Sequence, residues 1–160
     1  MAGLVVKTVS PDSLGRDVWQ GEELVGRVVV EGSGRAMLVV RGNPYEARLE
    51  DLRVRKGVKE VLSAVKSKGV LGQLTTEYMG RQYVLTYTAK DWIVKSGVAE
   101  VGRLNQRSLN FGERFPLLLQ LYFLWYVLET QAEIDLDVRG EKMARQCGCY
   151  QMAFGALGAA

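Results

Sequence analysis

The sequence predicts a mainly β fold with one central helix: a closed antiparallel β-barrel wrapped around a buried hydrophobic C-terminal helix. Three observations predict it. Runs such as RVVV, MLVV and YVLTYT are rich in β-branched and aromatic residues and are bounded by Gly, Asn, Asp and Ser, the composition of short strands and turns. A hairpin-like pattern recurs along residues 18–104. Finally, the stretch FPLLLQLYFLWYVLE at 115–129 has no polar face, and only Gln120 interrupts it. A helix apolar all round is enclosed either by lipid or by protein. The run holds about 14 residues, against the roughly 20 needed to cross a hydrocarbon core of about 30 Å. Protein therefore encloses it. A sheet closed around that helix also leaves no exposed edge.

In chain order, residues 1–13 are set apart as an N-terminal segment, and the barrel is expected over 14–130. Its first hairpin is VWQGEELVGRV at 18–28, an apolar start, a polar turn with glycine, then aliphatic–Gly–polar–aliphatic. GSG at 32–34 lies between two apolar β-like runs and reads as a hairpin turn leading into AMLVV. In VKEVLSAVKSK, Val58, Val61, Leu62 and Val65 fall at helical spacing, which would make an amphipathic helix. The turn signal KSKG that follows instead favours a strand over 60–67. VKSKGVLGQL at 65–74 reads as the second copy of the hairpin and IVKSGVAEVGRL at 93–104 as the third, at an irregular period that rules out a solenoid. Pro116 suits the first position of a helix over 116–129, in which Leu121, Leu124, Trp125 and Leu128 are expected to be inaccessible. Trp19, Trp92 and Trp125 read as core anchors. Residues 131–160, from the charged EIDLDVRGEK to the small-residue end MAFGALGAA, are expected to lie outside the barrel and to be partly mobile.

Composition removes much chemistry. The 160 residues suffice for one domain with a real core. The net charge of +3, from 21 basic and 18 acidic residues, is too weak by itself to argue for nucleic acid or an anionic membrane. There is no histidine, so imidazole acid–base schemes are absent. No Walker-type glycine loop and no complete dinucleotide fingerprint occurs. Carboxylates such as Glu22, Glu23, Asp135 and Asp137 read as solvated surface. Cys147 and Cys149, in CGC, are too close for an ordinary structural disulfide and do not complete a zinc site; they read as free thiols in the tail, with an acyl anchor as the other possibility. No enzyme activity, no cofactor, no metal and no nucleic-acid partner is expected. With no secretion signal and no transmembrane span in view, a cytoplasmic setting is the default.

NFGERFPL at 110–117 resembles the Asn-Phe-Gly-x-x-Phe-Pro-Leu motif that precedes the C-terminal apolar helix of phospholipid scramblases, and EVGRLNQRS before it resembles the strand leading in. Scramblases share the tubby-like fold with the LURP-one-related proteins, so the resemblance implies a barrel of about a dozen strands around a central helix. It covers roughly residues 14–130, is motif-grade over 100–129, and extends loosely to GNPYEARL at 42–49. The departures bear on function. Where scramblases are rich in aspartate and are proposed to bind calcium, this chain has Arg107, Leu109, Leu118 and Gln120, with Glu113 the one acid. A hard cation wants several oxygen ligands, so the calcium site is not carried over.

The resemblance implies a non-enzymatic, scramblase- or LURP-one-like module that meets anionic phospholipid peripherally, without calcium. The alternative is a soluble scaffold or protein-interaction domain with no lipid role. For a lipid contact the candidate residues are Arg53, Arg55, Lys56, Lys59, Lys66 and Lys68. Near an anionic leaflet each basic side chain contributes about 1 kcal/mol. The competing reading is that they are the solvated faces of alternating strands. As a surface cluster, charge reversal at Arg55 and Lys59 is expected to weaken binding and leave stability alone.

Overall fold

A computed structural model describes residues 3–9, 15–31, 34–66, 73–88 and 90–146, excepting the side chains of Lys66 and of 132–146. The chain forms two compact units, 1–127 and 128–160. In the first, β1 (Leu4–Thr8), β2 (Arg16–Gln20), β3 (Glu23–Glu31), β4 (Arg35–Val40), β5 (Asn43–Arg48) and β6 (Val54–Lys56) are followed by β7 (Lys59–Lys66), β8 (Leu74–Tyr78), β9 (Arg81–Tyr87), β10 (Trp92–Ser96), β11 (Ala99–Leu104) and β12 (Ser108–Phe111). Each strand pairs antiparallel with its sequence neighbours, and β1 closes the barrel by pairing with β12 as well as β2. The helix α1 spans Leu117–Gln146.

Closure around the helix follows from the alternation of the strands. Val18, Val28, Leu38, Val54, Leu85 and Val94 point inward and are fully buried. They meet α1, whose residues Leu118 to Val127 are all buried, Leu121, Leu124 and Trp125 completely; Leu128 is buried too. Phe123 lies beside Phe111 at 6.4 Å, and Tyr126 meets Trp92 edge-on at 6.4 Å. Gln120, the one polar residue of the run, is buried because its Nε2 donates to the Phe115 carbonyl at 3.1 Å. The Pro116 carbonyl accepts the first helical bond from the Gln120 N–H, 3.2 Å.

The repeat is real, but its second copy lies elsewhere than 65–74. Three segments share one geometry: Val18–Gly26, Val54–Leu62 and Val94–Gly102. In each, a two-residue turn begins with glycine (Gly21, Gly57 and Gly97, at φ of 61°, 64° and 65°), the first-position requirement of a type II′ hairpin turn. In each, the register then slips by one residue, so that Val25, Val61 and Val101 are the extra residues of β-bulges. The bulge explains the false helical spacing over 58–65. Val61 and Leu62 sit side by side on the bulge, whereas Val58 and Val65 are exposed. That segment is strand, as the turn signal required.

After each bulged hairpin the chain adds a further strand and a fourth. β4 and β5 join through Arg41-Gly42, and β8 and β9 through Met79-Gly80. All four of these turn residues have positive φ, the type I′ pattern. The third set is split. Its fourth strand is β1, from the other end of the chain, docked on β12. The barrel therefore begins at Leu4 and not near residue 14. Leu4 and Val6 are its inward residues there, both buried.

Two further expectations are corrected. Trp19 faces outward because its neighbour Val18 faces in; its half-buried ring lies beneath the Lys7 ammonium at 5.3 Å. The helix continues past 129 to Gln146. Good helix formers (Glu, Gln, Ala, Lys, Met, Arg) carry the backbone on after the apolar run ends. Residues 147–160, with Cys147 and Cys149, lie outside the described residues.

The glycines that follow the bulges admit close neighbours. At Gly26 a β-carbon would stand 3.0 Å from a Leu121 methyl, and at Gly102 it would overlap the Phe111 ring. That ring is held in a stack with Phe115, 4.5 Å between centroids. Replacing Gly102 by alanine should therefore destabilise the fold by about 1–3 kcal/mol through overpacking. Chemical denaturation checks this, and an unchanged midpoint would mean that Phe111 has room to move.

Candidate functional site

Because consecutive strands run antiparallel, their connections alternate between the two ends of the barrel. One end carries the five tight turns at Gly21-Glu22, Arg41-Gly42, Gly57-Val58, Met79-Gly80 and Gly97-Val98, together with the 112–116 segment that leads into α1. The opposite end carries the loop between β5 and β6. That loop and the β6–β7 hairpin contain four of the six basic candidates within the described residues. The Lys66 side chain and all of Lys68 lie outside them.

The geometry separates the four. Arg55 is half-buried, with Nη2 2.8 Å from Asp51 Oδ2. Arg53 pairs with Glu60 at 3.1 Å, and its backbone N–H donates to Asp51 Oδ1 at 3.0 Å. Burial pushes the Asp51 carboxyl up, but the hydrogen bonds from Arg55 and Arg53 and the charge of both guanidinium groups outweigh it and hold the pKa below the usual carboxylate range. Leu52, between them, is buried in the left-handed region at φ 57°, and its carbonyl accepts a 2.9 Å hydrogen bond from the Tyr122 hydroxyl of α1. Burial pushes that hydroxyl well above the ordinary tyrosine range, so it remains a donor. Arg53 and Arg55 are thus parts of a structural knot. Reversing Arg55 would strand Asp51 beside a second carboxylate, so it is not the stability-neutral change that a surface cluster would allow.

Lys56 and Lys59 differ. They face each other across the hairpin on either side of Gly57-Val58, and both are exposed. Lys56 reaches over the Tyr45 ring at 5.6 Å. Like charges directly opposite one another on a β-ladder are destabilising. The fold gains nothing from that pairing. Val58, at the tip between them, is fully exposed.

Sequence reasoning missed the rest of this end. Met79 and Val98, at the tips of the next two hairpins, are also exposed, 84% and 101%. Between the β8–β9 tip and the segment before α1 lies an open groove of about 460 Å³. Arg81 and Arg114 line it over a floor that includes Tyr83 and Phe115, whose rings meet edge-on at 5.4 Å. The signal was present: a residue beside the glycine of a two-residue turn stands at the tip. A smaller pocket of about 80 Å³ opens at the start of α1 beside Gln120, and a cleft of about 570 Å³ at β1 is lined by Lys7, Arg16 and Arg107. Among the described residues no cluster of His, Cys, Asp or Glu could hold a metal ion, and no helix is long and apolar enough to cross a membrane. In comparisons with known proteins, no family model matches the chain, and neither a curated protein nor a solved structure matches it.

Proposed function

We propose that the protein is a non-enzymatic binding module of the scramblase- or LURP-one-like type that meets anionic phospholipid at a membrane surface, without calcium and without a transmembrane span. The observation that carries this reading is the β6–β7 tip, where Lys56 and Lys59 oppose each other around the exposed Val58. An anionic leaflet supplies the countercharge that Lys56 and Lys59 lack among the described residues, at about 1 kcal/mol per basic side chain. Arg53 and Arg55 fix the shape of the base of this hairpin. The reading places the protein in the cytoplasm, at the inner face of a membrane.

Flotation with vesicles tests it. The protein should rise with vesicles containing phosphatidylserine and not with neutral phosphatidylcholine, equally with calcium or chelator. Binding should fade as salt approaches about 1 M, where the Debye length falls to about 3 Å. The double variant Lys56→Glu/Lys59→Glu should lose most binding while its melting temperature changes little, because one repulsive pair replaces another and only the exposed contact of Lys56 with the Tyr45 ring is lost. Equal flotation with neutral lipid, or an unaffected double variant, would rule out this tip. No flotation at all leaves the protein-interaction reading standing.

A further inference from the structure

Met79 is misplaced twice over if folding alone chose it. It holds φ at 51°, a conformation in which Asn or Gly is at ease and methionine is not, and it is exposed. Its neighbours share the exposure, though not the left-handed backbone, since Val58 and Val98 occupy the tips of the flanking hairpins. Together these three adjacent tips, at one end of the barrel, project aliphatic side chains into solvent. Across the four residues of each turn they carry Lys56, Lys59 and Arg81 and no carboxylate, whereas the β2–β3 tip carries Glu22 and Glu23. The end is polarised.

We infer that this sector is the membrane-facing surface, and that the groove beside Met79 seats the phosphodiester of one anionic phospholipid on Arg81 and Arg114. The inference rests on the membrane reading above and adds an orientation and a headgroup site. Both arginines are exposed, and neither is in an ion pair among the described residues. A guanidinium offers planar paired donors that match phosphate oxygens. Among the described residues no carboxylate lines the groove to oppose an anion, and the Tyr83 and Phe115 rings give the glycerol and first acyl carbons an apolar floor. Its volume of about 460 Å³ is within the range of roughly 300–1,000 Å³ usual for sites that take small molecules. Three aliphatic tips distinguish a lipid surface from a nucleic acid. Val58, Met79 and Val98 gain by entering hydrocarbon and find nothing to bury against on a hydrated polyanion. Glu22 and Glu23 on the far side set the tilt, the acidic hairpin held away from the leaflet.

The test uses the full chain and phosphatidylserine-containing vesicles at low salt. Met79→Asn should bind about tenfold more weakly, as expected for losing one buried apolar side chain, while melting no lower than the parent, because asparagine accepts the left-handed turn. Arg81→Gln/Arg114→Gln should also weaken binding severalfold with an unchanged melting temperature. A tryptophan introduced as Val98→Trp should blue-shift on binding and be quenched by spin labels high on the acyl chains. If the wild type floats and Lys56→Glu/Lys59→Glu abolishes it, but the Met79 and arginine variants bind like wild type and the new tryptophan stays unquenched, the groove and orientation are wrong and the general reading survives. If the wild type does not float with anionic vesicles, both fall.

Discussion

Trp125→Ala should lower the unfolding free energy by about 3–5 kcal/mol, the range for emptying a large aromatic from a packed core. Its side chain is fully buried in the apolar first part of α1, with the Tyr122 ring 5.7 Å away. Small domains have about 5–15 kcal/mol in total, so the variant should lie close to the unfolding threshold. Its indole Nε1 has no hydrogen-bond partner among the described residues. Trp125→Phe removes that orphaned donor along with part of the volume, so it should cost far less than the alanine change. Urea denaturation of the two variants separates cavity from polarity. Trp19→Ala is the control, since its ring is on the outer face under Lys7 and should contribute only about 0.5–1 kcal/mol. A Trp125→Ala protein as stable as the parent would mean that α1 is not the core of the barrel.

The second large effect is expected from the other end of the sequence. A chain shortened to begin at Gly15 loses β1, and with it the two inward residues Leu4 and Val6. Each buried aliphatic contributes about 1.5–3 kcal/mol. More damaging, β2 and β12 both become free edges with unpaired N–H and C=O groups, an invitation to intermolecular pairing. The seam is narrow even when complete: Leu4 pairs with Leu109, Val5 with Ser108, and the Val6 N–H donates to the Arg107 carbonyl at 2.8 Å. The shortened protein should lose its cooperative thermal transition and elute as aggregates in gel filtration. A monomer with the parent's melting temperature would show β1 to be dispensable.

Much of this architecture was legible because the strongest signals are one-dimensional. Twelve successive positions, 117–128, all apolar but Gln120, leave a helix no solvent face, and a run too short for a bilayer leaves it only the inside of the sheet. The hairpins were legible from their glycines. Their exact repeat was not, because each bulge inserts one residue and breaks the period-2 alternation, which let 65–74 pass for the copy that Val54–Leu62 supplies. β1 was missed because a five-residue run outside the glycine-turn hairpins carries little signal of its own, and its partner β12 lies at the far end of the barrel sequence. At the candidate site, counting cations found Lys56 and Lys59 but could not separate them from Arg53 and Arg55. The difference lies in Asp51 and Glu60, which spatial pairing assigns to the arginines. Exposure of Val58, Met79 and Val98 depended on knowing which residue stood at each turn.

The split third repeat has a consequence for how the protein comes into being. During synthesis β1 emerges first, yet its place lies between β2 and a strand made more than ninety residues later. The filler of the barrel, the apolar start of α1, arrives later still. Until it does, the inner faces built by Val18, Leu38, Val54 and Leu85 have nothing to enclose. Pairings of such long sequence separation form slowly, on a scale of milliseconds to seconds for β-rich domains. The nascent chain is thus a set of sticky, half-made hairpins, and its folding is a late and nearly simultaneous event, timed by the appearance of the last segment of the first compact unit.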